Sequence, residues 1–473
     1  MQNGAVKQSN PDHSDETKQP STRRNRELRI REILGTARQV FQEDGYAGFA
    51  TRRVADRMGI THGNLQYYFR TKDELLSTAL RAYISQVMAD YTAIASRPGT
   101  GAAQRCTALI NHIFQTINET DLPKFMVELM AFASHEAYAT ELLNEVQVRF
   151  RGILAKLLSE LHPTLTDEEC LVRAAVIVAQ IDGMTIFASH GDYLGKDYIE
   201  FVRVTKRTVK MVVNAPTEML ESEALVRTAH GCGDTEGGIF VGGGRFPPEL
   251  LDLRVQHTAQ DAFHYRPTAQ GKRRETKINE IISTAGNLLA SEGYANFSLA
   301  RVARELGILP SALQNYFPTH DDLLRSTIGA LTQAYLDNYA EVGKPSGKPA
   351  VERLCDIAAS VAAEAADPAV YRLWAEMFAL AQHSDITREI VGGVYAAYRV
   401  SYADLIREID SSATARECLA RATLIAALMD GVSLLRFGAQ AQGVSMNRVV
   451  DLMIAITPRI ARGHLATSDT ASD

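Results

Sequence analysis

The sequence predicts an all-α protein made of two tandem copies of one helical unit. Apolar residues recur at helical spacing, and from Leu75 to about Val213 no convincing run alternates apolar and polar residues as a strand would. The chain also repeats itself, because the 47 residues that begin at Ile30 align without a gap with those that begin at Ile278, and 22 are identical. The offset of 248 residues persists far beyond this stretch. The repeated unit is therefore a domain of about 185 residues, a usual domain size.

Length and composition fit two globular units joined by a connector. With 46% apolar and 22% charged residues, the 473-residue chain has enough apolar side chains for two cores. No uninterrupted apolar run reaches the roughly 18 residues that span a bilayer, and the polar N-terminus lacks a signal core. Five widely spaced cysteines without CxxC spacing argue against a disulfide framework or a zinc site. We therefore expect a cytoplasmic protein that does not associate with membranes.

The distribution of charge indicates a nucleic-acid partner, although the net charge of −6 alone argues against one. From Arg23 to Lys72 there are eleven basic residues and only five acidic ones. Such a local positive excess in an acidic chain is typical of a surface that faces phosphates. The equivalent segment from Gly271 to His320 has six basic and four acidic residues, so it is expected to bind phosphates less strongly.

The N-terminal part of each unit has the pattern of a DNA-binding head. Residues 1–22 are polar and aperiodic, which predicts a disordered tail. The pattern that follows predicts helices from about Leu28 to Gly45, from about Thr51 to Gly59, from about Thr61 to Tyr68, and from Lys72 onward. Two short helices joined by a turn that contains glycine are a helix-turn-helix, whose second helix enters the major groove of DNA.

The repeat then sets the domain boundaries. The first head covers residues 23–72 and a first helical domain covers 73–214. A Gly-rich connector over 215–270 is expected to be either a flexible linker or a short segment that contains strands. The second head covers residues 271–320, and the second helical domain covers 321–465.

Two blocks in the first head resemble the DNA-binding domain of the TetR family of transcriptional regulators. They run from Ala37 to Tyr46 and from Thr51 to Leu76, the latter reading TRRVADRMGITHGNLQYYFRTKDELL, and both recur in the second head. The resemblance implies double-stranded DNA as a partner, no cofactor, and a helical ligand-binding and dimerisation domain after each head. It also implies a homodimer built on the last two long helices of each subunit. Because one chain here carries both units, it implies an intramolecular pseudo-dimer, and leaves open a further homodimer.

The first recognition helix offers polar side chains suited to DNA. Asn64 and Gln66 are expected to pair with adenine, and His62 to donate to guanine. Gly63 is expected to let the backbone approach the DNA closely. Contacts with phosphates are expected from Thr61, Tyr67, Tyr68, Thr51, Arg52, Arg53 and Lys72. A basic arm of Arg23, Arg24 and Arg26 is expected to reach phosphates or the minor groove.

The second recognition helix departs from the first. Leu309 to Ala312, with the sequence LPSA, replaces Thr61 to Asn64, and aliphatic side chains offer bases only methyl contacts. Its remaining candidates are Lys272, Arg273, Arg274, Ser298, Arg301, Ser311, Gln314, Asn315 and Tyr316. Two unequal heads predict an operator whose half-sites need not be identical.

The family resemblance also implies a small, mainly apolar effector bound between helices of the helical domain. The candidate lining residues are Phe125, Met126, Leu129, Met130, Phe132 and His135 in the first unit, and Trp374, Met377, Phe378, His383, Tyr395 and Tyr398 in the second. The alternative is that these apolar stripes are simply core. Asp182 and Asp430 lie alone in apolar helices and are interpreted as hydrogen-bonding groups at a helix interface.

These features together predict a repressor released by its effector, and not an enzyme. We find no catalytic constellation and no residues at metal-ligand spacing. The alternative is a small-molecule-binding or protein-interaction module whose second head no longer recognises DNA.

Overall fold

The computed structural model describes residues 19–189, 197–224, 269–342, 347–365 and 367–466. Every regular element in these ranges is helical, which confirms the predicted all-α class. The helices of the first unit are α1 Gln19–Gly48, α2 Thr51–Arg57, α3 His62–Tyr68, α4 Lys72–Ala95, α5 Ala102–Glu119, α6 Leu122–Phe132, α7 Ala137–Leu161, α8 Asp167–Ser189, α9 Tyr198–Asn214 and α10 Thr217–Glu221.

The second unit repeats this order. Its helices are α11 Ala269–Glu292, α12 Leu299–Glu305, α13 Pro310–Gln314, α14 His320–Val342, α15 Ala350–Ala365, α16 Pro368–His383, α17 Asp385–Ile409, α18 Ala415–Leu435, α19 Ala439–Gln442 and α20 Met446–Arg462, with a 3₁₀ turn at Tyr294–Asn296. The chain divides into two compact parts: residues up to 44 with 48–85, which hold the first head, and residues 45–47 with 86–473, which hold the rest.

Each head is a three-helix unit with its own apolar core. In the first head, Ile33 and Phe41 of α1 are fully buried, as are Val54 of α2 and Leu65 of α3 to within 1%. Gly59 between α2 and α3 has φ 62°, which a residue with a side chain adopts only with strain. In the second head, Gly307 at the equivalent turn has φ 65°. The predicted helix-turn-helix is therefore present in both heads.

The two long helices α8 and α18 form the centre of the molecule. Their crossing is close because each has a glycine there: a Cβ added at Gly183 would lie 1.7 Å from the Ala427 carbonyl oxygen, and one at Gly431 would lie 1.8 Å from that of Ala179. Helix α9 packs on α18, and α20 packs on α8. These four helices join the two repeats as the predicted pseudo-dimer does.

The same two helices are both long and apolar. Windows within Asp167–Ser189 and Ala415–Leu435 are long and apolar enough to cross a membrane by length and composition. In the folded chain 89% and 78% of these windows are buried, because the helices pack against each other and their neighbours. Their apolar character thus serves a core between the repeats.

Two predicted boundaries also shift. Helix α1 begins at Gln19, so Arg23, Arg24 and Arg26 are helical and do not form an extended arm; residues 1–18 lie outside the described ranges. Residues 215–224 of the predicted connector contain α10 and pack against α20. There the Glu223 carboxylate bonds to the side chains of Arg459, Arg462 and His464 at 3.3, 2.6 and 2.8 Å. Residues 225–268, with the Gly-rich part, lie outside the described ranges.

Candidate DNA-binding surfaces and effector cavity

Helix α3 presents most of its predicted base-contacting groups to solvent. Its N-cap Thr61 accepts a hydrogen bond from the Asn64 backbone N–H at 3.2 Å, which fixes the first turn. Asn64 and Gln66 are exposed, and Tyr67 is 74% exposed. Leu65 between them is buried, so the helix has one face in the core and one amide-bearing face free.

His62 and Tyr68 are less accessible than their neighbours. The His62 Nε2 atom lies 3.0 Å from the Thr51 hydroxyl, so these two predicted contacts hold the start of α3 against α2. Tyr68 is half-buried, and its ring meets that of Tyr67 edge to face at 5.3 Å. The free polar face of the first head therefore centres on Asn64, Gln66 and Tyr67.

The cations of the first head divide into paired and exposed groups. Arg53 forms an ion pair with Asp44, which engages one predicted phosphate contact within the head. Arg52 is exposed, and so is Lys72, whose ammonium lies 5.8 Å from the centre of the Phe49 ring. Arg24 and Arg26 are exposed along α1, and Arg23, which is also exposed, pairs with Glu27 at 3.3 Å. A positive surface thus persists on this head after the internal pairs are made.

The second head uses two of its predicted DNA-contacting cations internally. Arg301 is paired with both Glu292 and Glu305. Arg274 donates to the Asn315 carbonyl oxygen at 2.9 Å and lies 4.9 Å from the centre of the Tyr316 ring. These contacts reduce the positive surface that the head presents to phosphates.

The remaining candidates of the second head lie around a short helix. Helix α13 has five residues where α3 has seven. Ser298 caps α12 by accepting from the Arg301 backbone N–H at 3.2 Å. Exposed candidates on this head are Lys272, Arg273, Ser311, Gln314 and Asn315, and beside them Leu309 is 72% exposed. This face is smaller and more apolar than that of α3.

A cavity lies in the second helical domain, between α15, α16, α17 and α18. The space open to the centres of water molecules is about 60 Å³, enough for a few waters. Its walls include five aromatic rings and two acidic side chains, with smaller groups between them: Tyr371, Trp374, Phe378, Tyr398, Tyr402, Glu364, Asp430, Val361, Ala365, Val370, Val394, Ala426, Met429 and Ser433.

Asp430 is the principal polar group of this cavity. Its carboxylate accepts a hydrogen bond from the Tyr395 hydroxyl at 2.9 Å. Burial raises the pKa of Asp430 to about 7, and the bond from Tyr395 only partly offsets this effect. The group therefore changes charge near neutral pH, and a bound cation would favour its ionised form.

The predicted effector residues fall into three groups: those at the cavity, those buried elsewhere, and the two histidines described below. Trp374, Phe378 and Tyr398 line the cavity, and Tyr395 bonds to Asp430. Met377 is buried without lining the cavity. The same is true of five of the six candidates from the first unit, which are Phe125, Met126, Leu129, Met130 and Phe132. Sequence patterns missed Glu364, Tyr371, Tyr402 and the cavity position of Asp430. A position-by-position comparison of the repeats contains the missing signal, because aromatic residues in the second replace non-aromatic ones in the first at positions 371, 374, 378 and 402.

His135 and His383 lie at a contact between the repeats. Glu128 of α6 is fully buried and accepts from the Tyr46 backbone N–H at 3.0 Å, while His383 Nε2 lies 2.7 Å from its other oxygen. Burial raises the pKa of Glu128, and His383 partly offsets this effect. His383 thus bridges from the second repeat to a carboxylate of the first.

The second repeat mirrors this arrangement. Glu376 of α16 is fully buried and accepts from the Tyr294 backbone N–H at 2.8 Å, and His135 Nε2 lies 2.8 Å from its other oxygen. The Tyr46 hydroxyl also donates to Glu376 at 2.9 Å. Each glutamate therefore bonds to the tyrosine of its own repeat and the histidine of the other, an arrangement we call the crossed Glu–His contacts.

Helix α16 makes contacts on two faces. Tyr371, Trp374 and Phe378 face the cavity, while Glu376 holds Tyr294 directly after α11 of the second head. Helix α11 itself packs on α16. Helix α16 therefore contacts both the cavity and the first helix of the second head.

Comparisons with known proteins match both halves of this chain. Residues 33–79 and 281–327 each match the model of bacterial regulatory proteins of the tetR family, and the two segments are separated by the repeat offset (281 − 33 = 248). Residues 350–461 match the C-terminal model of BetI-type transcriptional repressors.

Curated relatives give the same assignment for one unit. The HTH-type transcriptional regulator BetI of Escherichia coli strain K12 is 26% identical over 164 residues, which is 34% of this chain and 83% of the relative. BetI from E. coli O17:K52:H18 strain UMN026 and from strain SMS-3-5 match with the same identity and coverage. A relative of one unit in length fits a chain that has two. The chain belongs to the TetR family of transcriptional regulators, as a tandem-duplicated member with two helix-turn-helix heads.

Proposed function

We propose that this regulator is a cytoplasmic repressor whose two heads bind one operator and whose second repeat binds the effector that releases it. The observation that carries the proposal is the double role of α16, which lines the cavity with Trp374 and holds Tyr294 of the second head through Glu376. An effector shifts a regulator only as far as it binds its two states unequally. A ligand that separates Trp374 from Phe378 would favour a position of α16 in which the second head no longer fits the operator.

The cavity favours an effector with an apolar body and one positive charge. Aromatic faces attract organic cations, and Asp430 supplies a negative charge beside them when it is ionised. An uncharged apolar ligand would leave the Asp430 carboxylate without a counter-charge. The effector is thus mainly apolar, as the family resemblance implies, but with a cationic group directed at Asp430.

DNA recognition by the first head rests on its free polar face. Asn64 and Gln66 carry amides that pair bidentately with adenine, and Arg52 and Lys72 supply phosphate contacts. Because the second head has fewer free cations and a smaller polar face, its half-site contributes less to affinity. The proposed operator therefore has two different halves.

Binding of the purified chain to the DNA upstream of its own gene, followed by fluorescence anisotropy, tests this assignment. Affinity should fall linearly on a log-log plot against salt, with a slope of about −0.9 per phosphate neutralised. Replacing Asn64 and Gln66 by alanine should weaken binding by about 1–3 kcal/mol for each lost base contact. Gln115→Ala, at an exposed site on α5, is the matched control. Affinity that does not respond to salt or to the α3 variants would overturn the proposal.

The effector class is tested with tetramethylammonium and with tert-butanol, a neutral molecule of similar shape. Tetramethylammonium should release the DNA, and tert-butanol should do so only at much higher concentration. In Asp430→Asn the two probes should act alike. If tert-butanol is as effective as tetramethylammonium on the unaltered chain, the cationic group is not part of the effector.

One observation favours a second candidate, in which only the first head recognises DNA. Arg274 and Arg301 are engaged within the second head, and Leu309 occupies the exposed start of its recognition helix. Replacing Gln314 and Tyr316 by alanine separates the two candidates. A loss of about 1–3 kcal/mol in operator affinity supports two-headed recognition, whereas unchanged affinity supports a second head with another role.

A further inference from the structure

The first repeat contains the same aspartate as the second, in a closed environment. By the repeat offset Asp182 corresponds to Asp430. Asp182 accepts from the Gln147 side-chain amide at 2.8 Å, and the Gln147 oxygen accepts from Arg151 Nη1 at 3.1 Å. Asp182 is 7% exposed, and the other two are fully buried. A chain of side chains therefore links this aspartate to a buried guanidinium.

Arg151 also bonds to the second repeat. Its Nε donates to the Gln442 side-chain oxygen at 2.8 Å, and its Nη2 donates to the Phe437 carbonyl oxygen at 2.7 Å. Burial lowers the pKa of Arg151 to about 10, and Asp182 opposes this effect, so the guanidinium stays charged at neutral pH. It supplies a permanent positive charge beside the first aspartate.

The second repeat has the same arginine among different neighbours. Tyr395 stands where Gln147 would, and it bonds to Asp430 directly. Arg399, the counterpart of Arg151, donates to the Thr423 hydroxyl at 2.7 Å. Asp430 is therefore left facing a cavity whose walls are aromatic.

The walls of the two sites also differ in how they are filled. Trp374 and Tyr402 correspond to Met126 and Leu154, which are 8% and 1% exposed. Flexible and aliphatic side chains close the first site, whereas rigid rings leave space in the second. Contacts within the protein thus fill the first site, whereas the second retains a cavity.

We infer that each chain binds one effector, in the second repeat, because the Arg151 guanidinium permanently supplies the first repeat with the positive charge that the effector brings to Asp430. The inference rests on the proposed function and adds a division of roles to it. The Phe437 carbonyl oxygen that accepts from Arg151 lies two residues beyond the end of α18, the helix that carries Asp430. The first repeat is a fixed support, and the second repeat is the sensor.

Isothermal titration of the full chain with tetramethylammonium measures the number of sites. One cation should bind per chain, with at least a tenfold loss of affinity in Asp430→Asn and no loss in Asp182→Asn. Two cations per chain, or loss of binding in Asp182→Asn alone, would overturn the single-site inference. No binding of any cation to the unaltered chain would instead count against the effector class proposed above.

A second measurement needs no effector. Arg151→Ala removes the buried guanidinium, and the melting temperature should fall by roughly 5–10 °C. Methylguanidinium at millimolar concentration should restore part of this loss by filling the space, but not in the double variant Arg151→Ala, Asp182→Asn. If the folded single variant and the double variant respond alike, Arg151 is not the occupant of the first site. If Arg151→Ala does not fold, the number of tetramethylammonium sites in the unaltered chain, measured by isothermal titration, tests the inference alone.

Discussion

At the scale of single residues, equivalent positions of the two repeats have acquired different chemistry. Asp182 and Asp430 share a helix position and a raised pKa of about 7, both caused first by burial. Gln147 and Arg151 compensate the first aspartate from within the protein. The second accepts a hydrogen bond from the Tyr395 hydroxyl. Identical carboxylates are thus bonded within the protein in one repeat and line a cavity in the other.

The raised pKa of Asp430 predicts a pH-dependent stability that Asp430→Asn removes. A carboxyl whose folded pKa lies above its unfolded value of about 3.8 stabilises the fold below that value, and this contribution is lost as pH rises to about 7. At pH 8 the Asp430→Asn variant should therefore unfold at a higher temperature than the unaltered chain. Its free energy of unfolding should be higher by about 1–3 kcal/mol. At pH 5 the difference should be smaller. Thermal melts at both pH values check this, and a variant that is destabilised more at pH 8 would contradict it.

The same group predicts how effector binding depends on pH. A cation binds the ionised form of Asp430, and the proton competes with it below a pKa of about 7. Tetramethylammonium affinity should therefore rise from pH 6 to pH 8 and then level off. In Asp430→Asn the weak residual affinity should be flat over this range. A native profile as flat as that of the variant would show that the cation does not face Asp430.

At the scale of elements, the helices α8 and α18 cross in close contact. Gly183 and Gly431 allow it, because backbone carbonyls of the opposite helix occupy the space where a Cβ would lie. A carbonyl in a buried helix cannot move aside as the end of a flexible side chain does. The small residues at this crossing therefore determine how closely the repeats associate.

Gly183→Ala should destabilise the chain by separating these two helices. The added Cβ would lie 1.7 Å from the Ala427 carbonyl oxygen, so the helices must shift, and a loss of about 3 kcal/mol or more is expected. Gly393→Ala is the matched control, because this exposed glycine of α17 has no atom within 4 Å of an added Cβ. It should instead gain about 0.5–1 kcal/mol from higher helix propensity. Chemical denaturation measures both, and equal effects would contradict the crossing.

Helix patterns predicted the fold better than the site. The repeat offset and the glycines at 59 and 307 indicated the class and the two heads, because these depend on local periodicity and backbone conformation. The pairing of the last long helices was implied only by the family resemblance. The cavity could not be predicted in this way. Periodicity shows that Asp430 lies on an apolar helix, but which rings surround it depends on α15, α16 and α17. The same limit applies to Arg274 and Arg301, whose partners come from elsewhere in their head.

At the scale of the whole molecule, tandem duplication frees each half from the symmetry of a homodimer. In a homodimer a substitution appears twice, so a residue that improves one half must also suit the other. Here the crossed Glu–His contacts and the α8–α18 crossing keep near-symmetry where the repeats meet. The recognition helices and the aspartate sites have diverged. The interface is thus the part in which both halves need the same residues.

This asymmetry predicts which artificial operators the chain will bind. The test compares the natural operator with two palindromes, one built from the half-site of the first head and one from the half-site of the second. Because the two heads differ in free cations and in polar face, the natural operator should bind most tightly. The first palindrome should be intermediate, since its better half-site is still occupied by the first head, and the second palindrome should be weakest. The salt slope should be the same for all three, because phosphate contacts do not depend on base sequence. Anisotropy titrations measure both quantities, and equal affinity for both palindromes would mean that the two heads recognise DNA alike despite their different recognition helices.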